Sequence, residues 1–280
     1  MQAKTRSRLE LLGIYLVFAF MAVIIIYPLL WAVGMSLNEG RSLYSSTIIP
    51  ENWSLTHYRW LFTDERSNYL LWYRNSMIVS SMSVLLSVTI TTFTAYAFSR
   101  YEFVGRKSGL YTFLILQMFP VLMAMVAIYI LLNLVGLLDS LTGLVLVYVG
   151  GQIPFNAWLV KGYLDTIPRG LDEAARIDGA GHFTVFFRII LPLAKPILAV
   201  VALFNFMQPL FDFILPSIIL RSPRNYTLAL GLYNFINDQF SNNFTRFAAG
   251  SILIAVPVAV IYVFLQRFLI SGLTSGGTKE

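Results

Sequence analysis

Asp172-Glu-Ala-Ala-Arg-Ile-Asp-Gly-Ala-Gly181, followed after seven intervening residues by Ile189-Ile-Leu-Pro192, is a dense polar island between long apolar runs. Around it the 280-residue chain is 57% hydrophobic and only 12% charged, with a mean hydropathy of +0.70. Soluble domains carry charge on about a quarter of their residues, so this composition belongs in a bilayer. The charges leave uncharged windows over residues 11–35, 75–99, 108–138, 140–160 and 247–266, and a sixth window, 196–220, holds one acid, Asp212. About 20 apolar residues, rising 1.5 Å each, cross a hydrocarbon core of about 30 Å. The expectation is an all-α integral membrane fold of six transmembrane helices over about 11–35, 75–99, 108–133, 140–160, 196–220 and 247–267. Residues 161–195 form the polar loop between the fourth and fifth. Connections 36–74 and 161–195 are too short to build a core alone, so 1–280 reads as a single transmembrane domain.

Lys and Arg counts orient the helices, because basic residues accumulate on the cytoplasmic side. With the N-terminus inside, the inner segments hold 13 of the 20 basic residues: Lys4, Arg6, Arg8, Arg100, Arg106, Lys107, Lys161, Arg169, Arg176, Arg188, Lys195, Arg267 and Lys279. Arg41, Arg59, Arg66, Arg74, Arg221, Arg224 and Arg246 remain outside. Both termini and the polar island are therefore expected in the cytoplasm. The first apolar run is too long for a signal-peptide core and reads as an uncleaved helix.

The net charge of +6 is scattered at membrane boundaries, which argues against nucleic acid. With no cysteine, disulfide and thiol chemistry are excluded. His57 and His182 fall on opposite sides of the predicted membrane, so no metal cluster or nucleophile constellation is expected, nor an enzymatic role; His182 reads as a solvated loop residue. Gly105-Arg-Lys-Ser108 has the wrong spacing for a phosphate loop, and any energy from ATP must come through another polypeptide. In the first outer connection, His57-Tyr-Arg-Trp-Leu-Phe62 predicts a short interfacial helix, with Trp53, Tyr58, Trp60 and Phe62 at headgroup level. The second, 221–246, mixes polar residues with aromatics and fits either a wet docking surface or an ordinary loop.

Within the polar island, Leu171, Ala174 and Ala175 lie at i, i+3 and i+4 and predict one face of a short helix. Gly179 and Gly181 then break it. Phe183, Phe186, Phe187 and Ile190 predict a second helix over 182–190, which Pro192 stops before the next span. Small Ala174 and Ala175 permit close approach to a partner, with the charges of Glu173 and Arg176 at the rim. An amphipathic hairpin on the inner leaflet is the other reading.

The fixed spacing of Glu173-Ala-Ala, Gly179, Ile189 and Leu191-Pro192 closely resembles the EAA loop of ATP-driven importers. Glu173-Ala-Ala-Arg-Ile-Asp-Gly-Ala180 resembles the form found in carbohydrate importers. Thr227-Leu-Ala-Leu-Gly-Leu232, Phe247-Ala-Ala-Gly-Ser251 and Gln266-Arg-Phe-Leu-Ile-Ser-Gly-Leu-Thr-Ser-Gly-Gly277 are similar to the smaller membrane subunits of maltose and maltodextrin importers. The resemblance implies a type I ABC importer permease in a bacterial cytoplasmic membrane. It implies a heterodimer with a second homologous permease on an ATPase dimer, served by an extracellular or periplasmic sugar-binding protein. No cofactor is expected in this chain; ATP and Mg would be bound by the partner ATPase, whose binding and hydrolysis cycle opens and resets the cavity. The ATPase contact would fall on Asp172, Glu173, Ala174, Ala175, Asp178, Gly179, Ala180, Phe183, Phe186, Leu191 and Pro192. The tail residues Ser275, Gly276, Gly277 and Thr278 resemble a segment reaching the ATPase interface. Maltodextrin is the first substrate expectation, a galacto-oligosaccharide the next.

Asp212 is the single ionisable residue inside a predicted span, and such residues mark pathways or buried pairs. Asn205, Gln208 and Asp212 are spaced three and four apart, on one helical face interleaved with aromatics. Amides and a carboxylate suit sugar hydroxyls, and aromatic faces suit a sugar's apolar side. Interhelical hydrogen bonding that only joins the bundle is the other reading. Pro28, Pro120, Pro154, Pro209, Pro216 and Pro257 likewise fit either kinks lining a pathway or ordinary packing. Many sugar permeases carry a Trp-Asn pair in the fifth span where this chain has Phe204-Asn205. A secondary transporter, the reading from another class, calls for internal repeats and several intramembrane charges, which this chain lacks.

Overall fold

The computed structural model describes residues 2–41, 48–237 and 242–275. Its helices are α1 (Gln2–Ser36), α2 (Thr56–Thr63), α3 (Tyr69–Arg100), α4 (Arg106–Gln117), α5 (Val121–Leu134), α6 (Leu141–Asp165), α7 (Gly170–Ile177), α8 (His182–Val185), α9 (Leu191–Leu193), α10 (Lys195–Phe211), α11 (Ile214–Ile219), α12 (Leu228–Tyr233) and α13 (Phe244–Ser275). A π-helical turn, Phe186–Ile190, joins α8 to α9, and a 3-10 turn occupies Pro223–Asn225. Among the described residues the one extended pairing is an isolated bridge between Asn38 and Trp53. The short helix expected over 57–62 is α2.

Among the described residues, four helical stretches are long and apolar enough to cross a membrane: Leu11–Ser36, α3, α6 and Phe244–Phe268. Two bent pairs raise the number to six if each counts as one crossing: α4 with α5, at 97°, and His182–Leu193 with α10, at 74°. α3 and α6 overrun their uncharged windows to Arg100 and Asp165. A charge at the interface does not interrupt backbone hydrogen bonding, and long side chains reach out from it.

The continuous helix expected over 108–133 is instead broken at Met118–Phe119–Pro120. Proline has no amide to donate and disfavours the helical region for the residue before it, and Pro120 itself is extended, at φ −62 and ψ 120. The helix expected over 196–220 also ends early, because Asp212 is extended (φ −79, ψ 127) and α11 begins two residues later. Pro192 does not stop the second helix of the polar island, since it lies inside α9 and the bend falls at Ala194. Pro28, Pro154, Pro209 and Pro257 are accommodated within continuous helices.

The chain divides into two compact units, the residues up to Tyr69 with Leu232–Ala255, and Leu70–Gly231 with the chain from Val256 on. In the first, His57 is buried and its Nε2 meets the Gly40 carbonyl at 3.0 Å and the Thr245 hydroxyl at 2.9 Å. Arg246 stacks its guanidinium 3.6 Å above the Trp60 ring, and the Tyr69 hydroxyl donates to the Gly250 carbonyl at 3.0 Å.

The second unit holds two apolar cores. One gathers Val79, Leu144, Tyr148, Leu215 and Ile219; the other gathers Ala95, Val160, Leu164, Val185, Phe186 and Ile190. Inside a bilayer such packing adds van der Waals contact more than hydrophobic drive. Local motifs set the corners. α5 closes on Gly136 (φ 69), with the Leu137 amide donating to the Leu132 carbonyl at 2.8 Å, a Schellman closure that requires a left-handed residue. Ser140 then caps α6 by accepting from the Gly143 amide at 3.0 Å. Asp139 clasps this corner to the chain after α11: its carboxylate accepts from the amides of Arg221 at 2.9 Å and Ser222 at 3.0 Å, and from the Ser222 hydroxyl. Burial pushes the Asp139 carboxyl up, but these donors overcome it and hold it at about 2. Asn75, from α3, donates to the carbonyls of Arg224 at 2.8 Å and Tyr226 at 3.0 Å.

Candidate functional site

The polar island folds as a helix, an elbow and a second helix. α7 ends in another Schellman closure, in which the Ala180 amide donates to the Ala175 carbonyl at 2.9 Å and the Gly179 amide to that of Arg176 at 3.0 Å. Gly179 takes φ +87, which a side chain would strain. Ala175 and Ala180, the two residues whose backbones this closure joins, both rest against the second core. The spacing of Ala175, Gly179 and Ala180 is thus the residue pattern a C-terminal closure demands.

The outward face differs from the expected one. Leu171 and Ala174 are exposed, as are Glu173, Ile177 and Asp178, whereas Ala175 is half-buried and Asp172 is buried. Ile177 is 87% and Phe183 75% exposed, so two large apolar side chains of the elbow are left largely uncovered. Phe186 turns the other way. It stacks on Phe93 at 4.9 Å and meets Tyr96 edge-on at 4.8 Å. Leu191 is half-buried and Pro192 exposed.

Asp172 is withdrawn to pair with Arg100, the last residue of α3. Arg100 Nε approaches Asp172 Oδ2 to 2.6 Å, with the two side chains 4% and 7% exposed. The N–H is not aligned for a hydrogen bond, so the attraction is between charges. The same guanidinium donates to the carbonyls of Leu164 and Ile167, each at 3.1 Å. Arg169 donates to the Ser99 carbonyl at 3.0 Å, and the Ser99 hydroxyl to Asp165 Oδ1 at 2.7 Å. His182 Nδ1 meets Tyr101 Oη at 3.0 Å and an Arg176 terminal nitrogen at 3.3 Å. The guanidinium can only donate, which leaves Nδ1 the acceptor and the tyrosine hydroxyl a donor to it.

A second polar feature is a seam between α6 and α10. Asn156 Nδ2 donates to Asn205 Oδ1 at 3.0 Å, Gln152 Nε2 to Gln208 Oε1 at 2.9 Å, and the Tyr148 hydroxyl to Asp212 Oδ2 at 2.9 Å. Asn205 Nδ2 also donates to the Ser87 hydroxyl of α3 at 2.8 Å. The structure therefore brings Asn205, Gln208 and Asp212 to one seam, although Asp212 has left the helix. Its other oxygen accepts from the amides of Ile214 at 2.9 Å and Leu215 at 3.3 Å, starting α11. The α6 half was missed, though Tyr148, Gln152 and Asn156 recur every fourth residue, a one-face signal in an otherwise apolar window.

Beside the seam lies a cavity of about 600 Å³ lined by Gln117, Gln152, Phe155, Asn156, Phe204, Asn205 and Gln208, among others. Phe155 and Phe204 are 50% and 64% exposed. Gln152 Oε1 is buried and unpartnered. Gln117 donates to the Gly151 carbonyl at 2.8 Å, and Gln208 remains exposed. Among the described residues lining the cavity there is no cation. Among the described residues no group of His, Asp and Glu could hold a metal ion. Ser275 is the last residue of α13; Gly276, Gly277 and Thr278 lie outside the described residues.

Residues 87–274 match the model of a family described as binding-protein-dependent transport system inner membrane component. Over 277 residues the chain is 52% identical to the galactooligosaccharides transport system permease protein GanQ of Bacillus subtilis (strain 168), covering 99% of this chain and 98% of that protein. It is 45% identical over 279 residues to the maltodextrin transport system permease protein MdxG of the same organism, covering 100% of both. A chain of a bacterial ABC transporter involved in the import of the acidic polysaccharide alginate shares the fold. It superposes with a TM-score of 0.80 at 22% identity over 94% of this chain and 97% of its own.

Proposed function

This chain belongs to the family of inner membrane components of binding-protein-dependent transport systems, and from that premise we propose that it is the permease subunit of an ATP-driven importer of neutral oligosaccharides, maltodextrins first among them. The observation that carries the substrate class is the amide-rich, cation-free cavity along α6 and α10. Gln117, Gln152 and Gln208 offer donors and acceptors to sugar hydroxyls, and Phe155 and Phe204 offer faces for the apolar side of a pyranose. With no Lys or Arg among the described residues that line it, the cavity offers a uronic acid no counter-charge from this chain. Galactooligosaccharide is the second reading, favoured by the 52% identity to a permease named for it.

In this reading the polar island faces the cytoplasm, as do both termini, and Leu171, Ala174, Ile177 and Phe183 seat in a separate ATPase with Glu173 and Asp178 at the rim. That ATPase dimer binds ATP and Mg, a second homologous permease completes the pathway, and an external binding protein delivers sugar. The 275–280 tail belongs to the same ATPase interface. The test is purification from the bacterial membrane in mild detergent, identification of the subunits recovered, and reconstitution with binding protein. ATP-dependent uptake of a labelled maltodextrin in preference to a galactooligosaccharide is the expected result. Uptake by the isolated chain on an ion gradient, without an ATPase, would refute the importer reading.

A further inference from the structure

The buried Arg100–Asp172 pair is withheld from any docking partner, yet it lies at the root of the helix expected to dock. Three chain segments meet at this one guanidinium: the end of α3, which contributes Arg100 itself; the end of α6, whose Leu164 carbonyl and the Ile167 carbonyl just beyond it accept its terminal N–H groups at 3.1 Å each; and the first turn of α7, whose Asp172 lies 2.6 Å from Nε. The last carbonyls of a helix have no partner within it, and a planar guanidinium with five N–H groups can serve two of them while facing a carboxylate. A lysine ammonium, a point charge with three donors, cannot reproduce that fork. Neighbouring bonds reinforce the same joint, since Arg169 donates to the Ser99 carbonyl and Ser99 to Asp165.

We propose that Arg100 is a positioning residue for energy coupling: it makes α7 and the adjoining ends of α3 and α6 move as one piece, so that displacement of α7 by the ATPase reaches the two helices that carry Ser87, Gln152 and Asn156. The proposal rests on the importer reading above. It separates two tasks within the polar island. Exposed Glu173, Ile177 and Phe183 hold the ATPase; buried Asp172 and Arg100 transmit what the ATPase does. Between the Arg100 corner and the Ser87–Asn205–Asn156 bonds, α3 and α6 are unbroken helices, so a shift at one end is carried along both to the seam.

The experiment compares wild type, Arg100→Lys and Asp172→Asn as complete importers reconstituted with the binding protein, measuring ATP hydrolysed and sugar taken up in the same vesicles. Sugar moved per ATP is expected to fall roughly tenfold in each variant, while the ATPase still copurifies in wild-type amount. An unchanged ratio in either variant with the complex intact overturns the proposal. So does loss of the ATPase from Asp172→Asn, because that would make the pair part of docking. Asp172→Asn preserves side-chain size, so it decides the matter if Arg100→Lys fails to insert. Failure of the importer reading is separately visible, since wild type itself would then recover no ATPase.

Discussion

Asp212→Asn tests whether the seam and the α10 break are held by one carboxylate. Asp212 Oδ1 accepts from the Ile214 and Leu215 amides and Oδ2 from the Tyr148 hydroxyl. Tyr148 is 2% exposed, so its hydroxyl depends on the Asp212 carboxylate for an acceptor. The asparagine oxygen can keep both amides, but as a neutral acceptor. Hydrogen bonds to charged groups contribute about 1.5–3 kcal/mol and neutral ones about 0.5–1.5; both amides share one oxygen and the Leu215 bond is already long at 3.3 Å, so the cap counts as about one bond and loses about 1 kcal/mol. The NH₂ that replaces Oδ2 cannot accept, and stranding the Tyr148 proton costs a further 1–2 kcal/mol, about the lower part of the range for a buried unsatisfied donor. The sum is about 2–3 kcal/mol, which at about 2–4 °C per kcal/mol for a chain of this size lowers the melting temperature by roughly 5–10 °C. The assay is thermal loss of the monodisperse species in detergent, for wild type, Asp212→Asn, Tyr148→Phe and the double variant. Tyr148→Phe takes away the proton that Asp212→Asn strands, so the double variant should melt above Asp212→Asn alone. A melting temperature within about 1 °C of wild type for Asp212→Asn, or strictly additive losses in the double variant, would refute the reasoning.

Further outcomes follow from other sites. A Cβ on Gly231 would lie 2.2 Å from the Trp72 ring, and that ring is held by an N–H donated to the Pro223 carbonyl at 2.7 Å; Gly231→Ala should destabilise by about 1–3 kcal/mol through overpacking, read in the same melt. Glu173→Lys should insert normally yet lose the ATPase on purification. Gly179→Val, which forces a β-branched residue to φ +87, should do the same by undoing the closure of α7; subunit recovery from the membrane checks both. His57 is lowered below its usual 6.5, by burial first and by the Arg246 charge, against the opposing Gly40 hydrogen bond. The unfolded chain then takes up a proton before the folded one does, so stability present above about pH 6.5 should fall as pH drops through the lowered folded value. His57→Gln should flatten that part of a melting-temperature profile.

Hydropathy marked where the chain is apolar enough to cross a membrane, because charge placement alone draws those windows. It did not mark where the helices break. Met118-Phe-Pro120 is as apolar as its surroundings and Asp212 is one acid in the 196–220 window, and averaging over about 20 residues hides a single residue's departure from helical geometry. Asn205, Gln208 and Asp212 were visible by spacing, and the same test applied to Tyr148, Gln152 and Asn156 would have shown the facing half of the seam. The burial of Asp172 could not be read locally. It depends on Arg100, 72 positions earlier, and only a folded α3 brings the two together. Phe186 was misplaced for another reason: three residues on from Phe183 it lies about 60° round the helix, and that offset turns it onto Phe93 and Tyr96 while Phe183 stays exposed.

The π turn between α8 and α9 gives the chain a place to store a spare residue. The Leu191 amide reaches back five residues to the Phe186 carbonyl, so Phe186–Ile190 contains one residue more than an α-helical turn would. Because the wider turn takes five residues through about the same rotation as four residues of an α-helix, deleting one of them and letting the turn tighten to an ordinary one would leave the helix beyond in phase. Asn205 and Gln208 would still face the α6 seam, with the chain one residue shorter. The interval of nine residues between Gly179 and Ile189 therefore carries a slack of one: the turn takes up the surplus locally and shields the polar face of α10 from it.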